Sequence, residues 1–551
     1  MNKTVELWLE KVSDAELKEE LYSLLSDEKE LENRFYKDLS FGTGGLRGIL
    51  GVGSNCMNIY TVARASDGVA LYMTGHGMRR AAVSYDSRIH SKLFAETAAR
   101  VFARRGIHVV IVRELMPTPF LSYMTRECCC DIGVMITASH NPAKYNGYKV
   151  YNAEGCQITD SAAKDISDCI GEIRYFETEA DSFDSFVRSG QIEYAGDELE
   201  ERYLRQIRKR SGCSIENLSV TYTALNGTGW RIVPKLLRSC GIGGLYTVDE
   251  QVVPDGNFPT CKYPNPEKAE ALELGLTYAR RNGSDLLLAT DPDADRVGIA
   301  VRDGGEYKLL TGNEVGVLLC EYLLSGRKAK GTLPAHPVII KTIVTTDLAF
   351  AIAKDYGCEV IEVLTGFKYI GEQIGRLERE GRADDFILGF EESYGYLTGT
   401  AVRDKDAVSS SLLICEMAAW YKAQGMTLCE ALERLYVRYG RYLHRLYSYE
   451  FPGADGYAHM QELMAALRGG RGAALFGGEV AAMKDYLSSD TSLPKSNVLS
   501  FRLKDGSGVI VRPSGTEPQI KIYVAQRPAD TEKLQKLKEA LDRYFVCERR
   551  K

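Results

Sequence analysis

Residues 131–149 read DIGVMITASHNPAKYNGYK, an apolar, strand-like run that ends abruptly in a polar turn. Ile132, Val134 and Ile136 supply the strand. Pro142 can continue neither a β-ladder nor a helix, so the chain must turn there and hold the Ser139 hydroxyl at the strand tip. Serine is a poor nucleophile unless a base, a metal ion or a group of cations activates it. A chemical role for this hydroxyl therefore requires an activating group elsewhere in the chain.

The composition is typical of a soluble globular protein with several domains. The 551 residues exceed what one hydrophobic core supports, and 44% hydrophobic with 26% charged residues is ordinary for a folded chain. A net charge of -6 provides no general basic field, so we expect no nucleic-acid partner. No apolar run reaches membrane-spanning length, so we expect no membrane partner either. Fourteen cysteines without a C-x-x-C pair are typical of a reducing compartment and predict a cytoplasmic protein.

Strand-like and helix-like segments alternate along the chain in three rounds. Each round ends with an apolar strand that runs into a polar loop: 132–136 into TASHNP, 286–289 into TDPDADR, and 386–388 into GFEESYG. This alternation predicts α/β layers with largely parallel strand pairing. In open α/β sheets, ligands bind at the carboxyl ends of the strands, where these loops lie.

The C-terminal part of the chain has a different pattern. Strands are predicted near 499–503, 509–511 and 520–523, before a helix over 531–545. The turn-rich sequence R-P-S-G-T-E-P lies between the last two strands. We therefore predict four domains, at residues 1–205, 206–310, 311–437 and 438–551.

The TDPDADR loop has the composition of a cation site. Asp291, Asp293 and Asp295 place three carboxylates at alternate positions, which a compact loop can direct at one hard cation. The start of an EF-hand is excluded, because Arg296 and Arg302 stand where that motif needs Gly and Glu. Three carboxylates suit one Mg²⁺, which keeps waters and commonly takes a phosphate oxygen. A solvated acidic turn is the alternative, and placement directly after a buried strand disfavours it.

Two further loops carry groups suited to a sugar phosphate. A phosphate-binding loop, called the phosphate grip below, is predicted at Arg512, Ser514, Gly515 and Thr516. The arginine guanidinium can donate two parallel hydrogen bonds, the two hydroxyls add donors, and the glycine lets backbone N–H groups approach the anion. Glu391 and Ser393 could form hydrogen bonds with sugar hydroxyls. The alternative for the glutamate is an ordinary position on the protein surface. The glycine-rich loop 42–48 matches neither a dinucleotide-binding motif nor a P-loop, and its remaining notable feature is the cation Arg47.

Taken together, the four motifs resemble those of one enzyme family. T-A-S-H-N-P, D-P-D-A-D-R, G-F-E-E-S-Y-G and R-P-S-G-T-E-P stand in the order and at the spacings of the α-D-phosphohexomutases. The connecting segments FGTGGLRG, LTGFKYIG and VRDKDAV are similar to those of its longer phosphoglucomutase branch. The resemblance implies three related mixed α/β domains and a smaller C-terminal α+β domain, arranged in a heart shape around a central cleft.

The resemblance also implies a role for individual residues. The serine that carries the transferable phosphate would be Ser139, and the implied catalytic set is Ser139, Lys149, Arg47 and His140. One Mg²⁺ would be held by Ser139, Asp291, Asp293 and Asp295. The implied substrate-binding residues are Arg296, Lys368, Glu391, Ser393, Lys405, Arg512, Ser514, Gly515 and Thr516. One departure is Gly395, which stands where some members have a histidine acid/base, so more of that work would pass to Lys149 or a carboxylate.

The implied activity is the interconversion of glucose 1-phosphate and glucose 6-phosphate. A phosphoserine enzyme would act through glucose 1,6-bisphosphate, which serves as intermediate and activator. Phosphopentomutase, phosphomannomutase and glucose-1,6-bisphosphate synthase activities stay open as alternatives within the family. A non-catalytic sugar-phosphate-binding relative is disfavoured, because the serine and the aspartates are all present.

Overall fold

The computed structural model describes residues 3–42, 44–177, 182–451, 453–470, 473–476, 479–488, 491, 493–514, 519–527 and 529–547. The chain divides into two compact units. Unit 1 comprises Met1–Val338 and Gly366–Cys429, and unit 2 comprises Ile339–Thr365 and Glu430–Lys551. Among the described residues, no helix combines the length and the apolar character needed to cross a membrane.

Unit 1 begins with three short helices that pack around one tryptophan. They are α1 (Lys3–Lys11), α2 (Ala15–Leu24) and α3 (Glu28–Phe35). The Trp8 side chain is fully buried and meets the ring of Phe35 edge-on, with 5.5 Å between centroids. Asp14 and Asp27 cap the second and third helices by accepting the N–H groups of Leu17 and Glu30.

The first sheet of unit 1 has six strands in the order β1-β5-β4-β2-β3-β6. Strands β2, β3, β4 and β6 run parallel, whereas β5 is antiparallel to both β4 and β1. The strands are β1 (Leu46–Ile49), β2 (Arg80–Tyr85), β3 (His108–Ile111), β4 (Ile132–Ile136), β5 (Tyr145–Asn152) and β6 (Ile192–Tyr194). The helices are α4 (Ile59–Gly75), α5 (Ser91–Arg104), α6 (Thr118–Glu127), α7 (Asp160–Glu172), α8 (Phe183–Ser189) and α9 (Asp197–Arg208).

The second sheet repeats this plan with five strands in the order β11-β10-β9-β7-β8. Strands β7, β8 and β9 are parallel, and β10 is antiparallel to β9 and β11. The strands are β7 (Ser219–Thr223), β8 (Gly244–Thr247), β9 (Leu286–Thr290), β10 (Val297–Asp303) and β11 (Glu306–Leu310). The helices are α10 (Gly229–Ser239), α11 (Asp249–Val252) and α12 (Ala269–Asn282).

Unit 1 also contains the strand that carries the third motif. The antiparallel pair β14 (Phe386–Glu391) and β15 (Gly395–Leu397) is accompanied by α13 (Gly312–Ala329), α15 (Phe367–Arg379) and α16 (Ala407–Ala423), with a 3₁₀ turn at Ala383–Asp385. Each motif loop therefore has the same topological position. It joins a buried strand to the antiparallel strand that follows it, namely β4 to β5, β9 to β10 and β14 to β15.

Unit 2 contains a five-stranded antiparallel sheet in the order β16-β20-β19-β18-β17. The strands are β16 (Leu443–Glu450), β17 (Val480–Asp485), β18 (Leu499–Leu503), β19 (Gly508–Pro513) and β20 (Gln519–Gln526). The helices are α18 (Gly453–Arg468) and α19 (Thr531–Asp542), with a 3₁₀ turn at Ala473–Phe476 and a π turn at Arg543–Cys547. Leu467, Val511, Ile522 and Leu541 belong to its closed core, with no side-chain surface exposed. Four further elements lie wholly or mainly in this unit: β12 (Val338–Thr342), α14 (Leu348–Asp355), β13 (Glu359–Val363) and α17 (Leu428–Tyr439).

The observed architecture confirms the predicted fold class of mixed α/β domains with a C-terminal α+β domain. The strands predicted at 132–136 and 499–503 are β4 and β18. Pairing is less parallel than the alternation indicates, because the strands that follow each motif loop run antiparallel. The boundaries of the four predicted domains stay a prediction.

Candidate active site

The loop that carries Ser139 follows β4 directly. Ser139 has φ +52°, in the left-handed region that non-glycine residues rarely adopt. Its N–H donates to the Thr137 hydroxyl at 2.8 Å, which closes a local turn in place of a β-ladder bond. The residue is 3% exposed, so its hydroxyl lies inside the protein and not at its surface.

The three aspartates of the second motif form a compact buried cluster. Asp291, Asp293 and Asp295 are 0%, 0% and 2% exposed, and one oxygen from each lies within 4.8 Å of the others. Ala294 has φ +48°, and its N–H donates back to the Asp291 carbonyl, which curls the loop. Asp291 Oδ1 accepts the N–H groups of Asp295 at 3.1 Å and Arg296 at 3.0 Å.

Two oxygens of this cluster fit a metal ion. Asp293 Oδ1 and Asp295 Oδ1 are buried and have no hydrogen-bond partner among the described residues. Buried carboxylate oxygens are normally paired, because an unpaired one loses its hydration without compensation. Three converging carboxylates of this kind provide hard oxygen ligands for a cation.

The serine and the aspartates meet directly. Ser139 Oγ donates a hydrogen bond of 2.9 Å to Asp291 Oδ2, across 152 positions of sequence. The hydroxyl of Thr118, at the start of α6, donates to Asp293 Oδ2 at 2.8 Å. The first sheet thereby supplies a nucleophile and a supporting donor to the acidic loop of the second.

Two lysines neutralise the acidic cluster. Lys149, from β5, lies 2.8 Å from Asp293 Oδ2 and 3.6 Å from Asp295 Oδ2. Lys405 lies 3.2 Å from Asp295 Oδ2 and 3.2 Å from Asp404 Oδ1. Burial opposes the charge on both lysines, but the adjacent carboxylates prevail and raise each pKa above its ordinary value. Both ammonium groups are therefore charged at neutral pH.

The pKa values of Asp291 and Asp293 are shifted in opposite directions. Burial, followed by repulsion from the other two carboxylates, raises the pKa of Asp291 well above its usual range. Burial would also raise the pKa of Asp293, but the charge of Lys149 and the hydrogen bonds from Lys149 and Thr118 outweigh it and lower that pKa. The cluster thus contains a carboxyl that is costly to ionise beside one that is held ionised.

The third motif contributes a buried carboxylate and a hydroxyl. Glu391 is 7% exposed, and Ser393 Oγ donates to its Oε1 at 2.9 Å. The carbonyl of Tyr394 accepts the Val297 N–H at 3.1 Å, which ties this loop to the strand after the acidic loop. Both predicted sugar-binding residues therefore lie beside a turn that is joined to the strand after the acidic loop.

The aliphatic part of the Lys405 side chain occupies the space that a Cβ at residue 395 would need. A Cβ at residue 395 would lie 2.3 Å from Lys405 Cδ and 3.0 Å from Glu391 Cγ. Asp406 caps α16 by accepting the Ser409 N–H at 2.9 Å, which fixes the chain just after this lysine. The residue type at 395 is thus linked to the position of the lysine: glycine permits the ammonium to reach Asp295.

The remaining predicted residues of unit 1 surround this centre less directly. Arg296 pairs with Glu267 at 2.9 Å and lies 3.7 Å from Asp295 Oδ1. The His140 ring places Nδ1 3.2 Å from Ser139 Oγ, and burial together with the nearby arginines lowers its pKa well below the ordinary value. A neutral imidazole follows at physiological pH.

Two further predicted cations contact groups other than the aspartates. Arg47 is exposed, and its Nη1 lies 3.5 Å from Asn141 Oδ1. Lys368 forms an ion pair with Asp160, at the start of α7, and its ammonium lies 4.8 Å from the ring centroid of Tyr369.

The predicted phosphate grip belongs to unit 2. Arg512 lies in β19, and the N–H of Ser514 donates to the Gln519 carbonyl at 2.8 Å where the loop begins. Gly515 and Thr516 lie outside the described residues.

Two buried charges beneath the serine loop were not predicted from the sequence. Asp86 and Arg88 follow β2, and both side chains are 0% exposed. Because β2 and β4 are parallel neighbours, with Tyr85 in register with Ile136, the segment after β2 meets the serine loop at the same sheet edge. The signal was present in the polar Y-D-S-R that ends an apolar strand.

Comparison with known proteins identifies the family. Residues 38–176, 201–305, 311–439 and 459–543 match domains I, II, III and the C-terminal domain described as phosphoglucomutase/phosphomannomutase. The chain is 35% identical over 544 residues to a phosphoglucomutase of Staphylococcus aureus, covering 95% of this chain and 96% of that protein.

Solved structures share the fold. The open form of the Paramecium phosphoglucomutase parafusin superposes with a TM-score of 0.72 at 19% identity, covering 93% of this chain and 96% of that one. An Aspergillus fumigatus N-acetylphosphoglucosamine mutase, solved with GlcNAc-6P and magnesium, gives a TM-score of 0.50 at 15% identity, covering 93% and 97%. The protein therefore belongs to the phosphoglucomutase/phosphomannomutase family, the α-D-phosphohexomutases.

Proposed function

We propose that this chain is a phosphoglucomutase, which interconverts α-D-glucose 1-phosphate and glucose 6-phosphate through a phosphoserine at Ser139. The observation that carries the proposal is the 2.9 Å contact of Ser139 Oγ with Asp291, inside a buried cluster of three carboxylates. The name carried by relatives that match nearly the whole chain supports the glucose substrate over the other sugars considered.

The resident ion in this proposal is one Mg²⁺. Asp291, Asp293 and Asp295 would hold it together with an oxygen at Ser139, an all-oxygen donor set that suits a hard cation. When bound, the ion supplies neutralisation of the charge that spreads over the phosphoryl oxygens. The two unpartnered carboxylate oxygens described above support this assignment.

The reaction is a pair of phosphoryl transfers. In the first, the bond between Ser139 Oγ and phosphorus breaks while the 6-hydroxyl oxygen of glucose 1-phosphate bonds to phosphorus, which gives glucose 1,6-bisphosphate. In the second, the bisphosphate returns its 1-phosphate to Ser139 and leaves as glucose 6-phosphate. The bisphosphate also primes unphosphorylated enzyme and therefore acts as an activator.

Protons and charge must be balanced at each transfer. The charged Lys149 can give a proton to Ser139 Oγ as that oxygen leaves phosphorus, and it can regain one from the sugar hydroxyl. His140, neutral and 3.2 Å from the serine oxygen, would shape the loop rather than supply charge. The proposed cations around the phosphoryl oxygens are Arg47, Arg296 and Lys405.

The sugar and the distal phosphate need their own contacts. Glu391 would accept hydrogen bonds from sugar hydroxyls, and Ser393 would accept or donate them. Lys368 would lie at the edge of the site. Arg512, Ser514, Gly515 and Thr516 would hold the phosphate that is not being transferred, where an arginine fork gives two parallel hydrogen bonds.

A single assay tests the function. The full chain with Mg²⁺ and a trace of glucose 1,6-bisphosphate is incubated with glucose, mannose and ribose 1-phosphates and followed by phosphorus NMR. We expect glucose 6-phosphate to form fastest. Conversion of ribose 1-phosphate or mannose 1-phosphate in preference to glucose 1-phosphate would replace the proposed substrate.

Two variants test the role of the serine. Ser139→Ala should abolish turnover and leave sugar-phosphate binding intact, because only the phosphate-carrying oxygen is lost. Ser66→Ala is the matched control, since this buried serine on α4 donates to the Tyr148 hydroxyl at 3.2 Å. Turnover near the wild-type rate in Ser139→Ala would contradict the proposal.

Removal of the metal provides an independent check. Enzyme treated with a chelator should lose turnover, and added Mg²⁺ should restore it, because the carboxylate cluster alone repels a phosphoryl group. Full turnover in excess chelator would refute a metal-dependent reaction.

A further inference from the structure

The serine loop rests on a single buried guanidinium. Arg88 Nη2 donates to the carbonyl oxygens of Ser139, at 2.5 Å, and of Asn141. Its Nη1 donates to the carbonyls of Pro142, at 3.0 Å, and Tyr145, at 2.9 Å. Four backbone carbonyls of one loop therefore converge on one side chain.

A carboxylate and an aromatic ring hold the guanidinium itself in place. Its Nε lies 3.4 Å from Asp86 Oδ2, and both side chains are fully buried. Asp86 Oδ1 accepts the Arg88 N–H at 2.9 Å and the Ser91 hydroxyl at 2.7 Å. The ring of Phe258 covers the guanidinium, with its centroid 5.1 Å from Cζ. Such a side chain has one available position.

This arrangement supports an otherwise unfavourable backbone. A left-handed φ at Ser139 is disfavoured for a residue with a Cβ, and it persists only where the surroundings determine it. Arg88 binds the carbonyl of that same residue and of its neighbours, while the hydroxyl of Ser139 reaches Asp291. In a trans peptide the N–H points away from its carbonyl, so the N–H groups of His140 and Ala143 point away from Arg88.

We propose that Arg88 is a positioning residue for phosphoryl transfer, which sets the direction of the Ser139 oxygen by gathering the carbonyls of the loop behind it. The inference rests on the proposed function for its kinetic consequence and on the carbonyl contacts for its geometry. It assigns Arg88 no contact with the substrate. Its effect is to hold the serine loop in the one conformation in which Ser139 Oγ meets the acidic cluster.

Arginine is needed here for a geometric reason. A planar guanidinium presents several donors in a fixed fork, whereas a lysine ammonium is a point charge with three donors. Arg88→Lys therefore keeps the charge that balances Asp86 but cannot satisfy four carbonyls in their observed places. The substitution separates positioning from charge.

The test compares Arg88→Lys with a matched arginine elsewhere in unit 1. Arg64 also donates to a backbone carbonyl, that of Ile173 at 2.8 Å, pairs with Asp38 at 2.7 Å and covers an aromatic ring, Tyr175, at 4.7 Å. Arg64→Lys thus loses the same kinds of contact away from the serine loop. Steady-state kinetics with glucose 1-phosphate are measured well below the thermal midpoints of both variants.

Arg88→Lys should lower kcat about 100-fold, the scale of an ångström-sized misplacement of a reacting group, with KM for glucose 1-phosphate unchanged. Phosphate uptake by Ser139 from glucose 1,6-bisphosphate, followed by intact mass, should slow by the same factor. Arg64→Lys should leave both rates unchanged even where it lowers the thermal midpoint equally. Wild-type kcat in a destabilised Arg88→Lys protein would overturn the inference and leave Arg88 a purely structural residue.

Two further measurements cover the other outcomes. If Arg88→Lys does not fold, Phe258→Leu, which removes the ring that covers the guanidinium, should show the same fall in kcat at constant KM. Hydrogen exchange of the 137–148 backbone should accelerate in Arg88→Lys and not in Arg64→Lys, a readout independent of turnover. If the wild-type protein itself shows no turnover, the proposed function is refuted but the positioning role is not. If hydrogen exchange in the 137–148 backbone is unchanged in Arg88→Lys, the positioning role is refuted.

Discussion

Replacement of Lys149 by methionine should strengthen Mg²⁺ binding while it slows turnover. The Lys149 ammonium lies 2.8 Å from Asp293 Oδ2 and 3.6 Å from Asp295 Oδ2, with 7% of its side chain exposed. Its positive charge therefore lies against the same two carboxylates whose Oδ1 atoms would ligate the cation. Methionine has a similar length and no charge, so the variant removes the competing charge without opening a large cavity.

The size of the effect follows from the competing charge. Two unit charges 4 Å apart interact by about 4 kcal/mol at an effective dielectric constant near 20. A cation that enters beside the ammonium meets repulsion of at least this order, part of which is relieved when the lysine moves aside. If about 1.4–2.8 kcal/mol remains, the dissociation constant of Mg²⁺ falls about 10- to 100-fold in the variant.

The stability of the metal-free protein should change in the opposite direction. Removal of one partner from a buried ion pair leaves an uncompensated charge and costs about 3–5 kcal/mol. The metal-free variant should therefore have a lower thermal midpoint than the wild type. Mg²⁺ should raise that midpoint by more in the variant, because tighter binding to the folded state stabilises it more.

Isothermal titration of the full chain with MgCl₂ measures the affinity, and circular dichroism verifies the fold. Lys235→Met is the control, because this lysine pairs with Glu200 at 2.7 Å but is 44% exposed and distant in sequence from the cluster. Its Mg²⁺ affinity should equal that of the wild type. An unchanged or weaker affinity in folded Lys149→Met would refute the argument that the lysine and the cation compete.

Two other predictions concern packing and pH. Gly395→Ala places a Cβ 2.3 Å from Lys405 Cδ, so the ammonium should leave Asp295, with a stability loss of about 1–3 kcal/mol and a lower kcat, measured by thermal unfolding and steady-state kinetics. In unit 2, burial lowers the pKa of His444 to about 4, although Asp347 opposes the shift. Because the unfolded chain binds this proton at a higher pH, stability should be full above pH 6.5 and fall by about 2–3 kcal/mol as the pH drops to 4. His444→Phe should flatten this part of the profile, and an unchanged slope in thermal scans would contradict the assignment.

The strands that deliver the motifs could be predicted from local sequence. Each is a short apolar run followed at once by polar residues, and β9, Leu286–Thr290, is buried along its whole length. Their antiparallel partners could not be found in this way. The β5 sequence YNGYKVYN contains asparagine and glycine, which are depleted in strands, and it is a strand because β4 and β1 pair with it on both sides.

Side-chain partners distant in the chain also escaped prediction. The family resemblance implies one role for both Lys368 and Lys405, that of substrate-facing lysines. In the structure Lys405 joins the acidic cluster through Asp295, whereas Lys368 pairs with Asp160, 208 positions away. Arg88 shows the same limit in another form, because its contacts are backbone carbonyls, which carry no side-chain signature.

The antiparallel return explains how one short segment supplies two functional groups. Lys149 follows Ser139 by only ten positions, and β5 returns it alongside β4, in register with Met135. A parallel return would need a crossover of a dozen or more residues and could not bring the lysine back within this segment. In the same way, β10 returns antiparallel to β9 and pairs Val297 with Thr290, which closes the acidic loop into a tight turn. A motif strand with an antiparallel successor thus concentrates charge at one sheet edge, and in the first motif that geometry places the lysine against the carboxylates that the serine also meets.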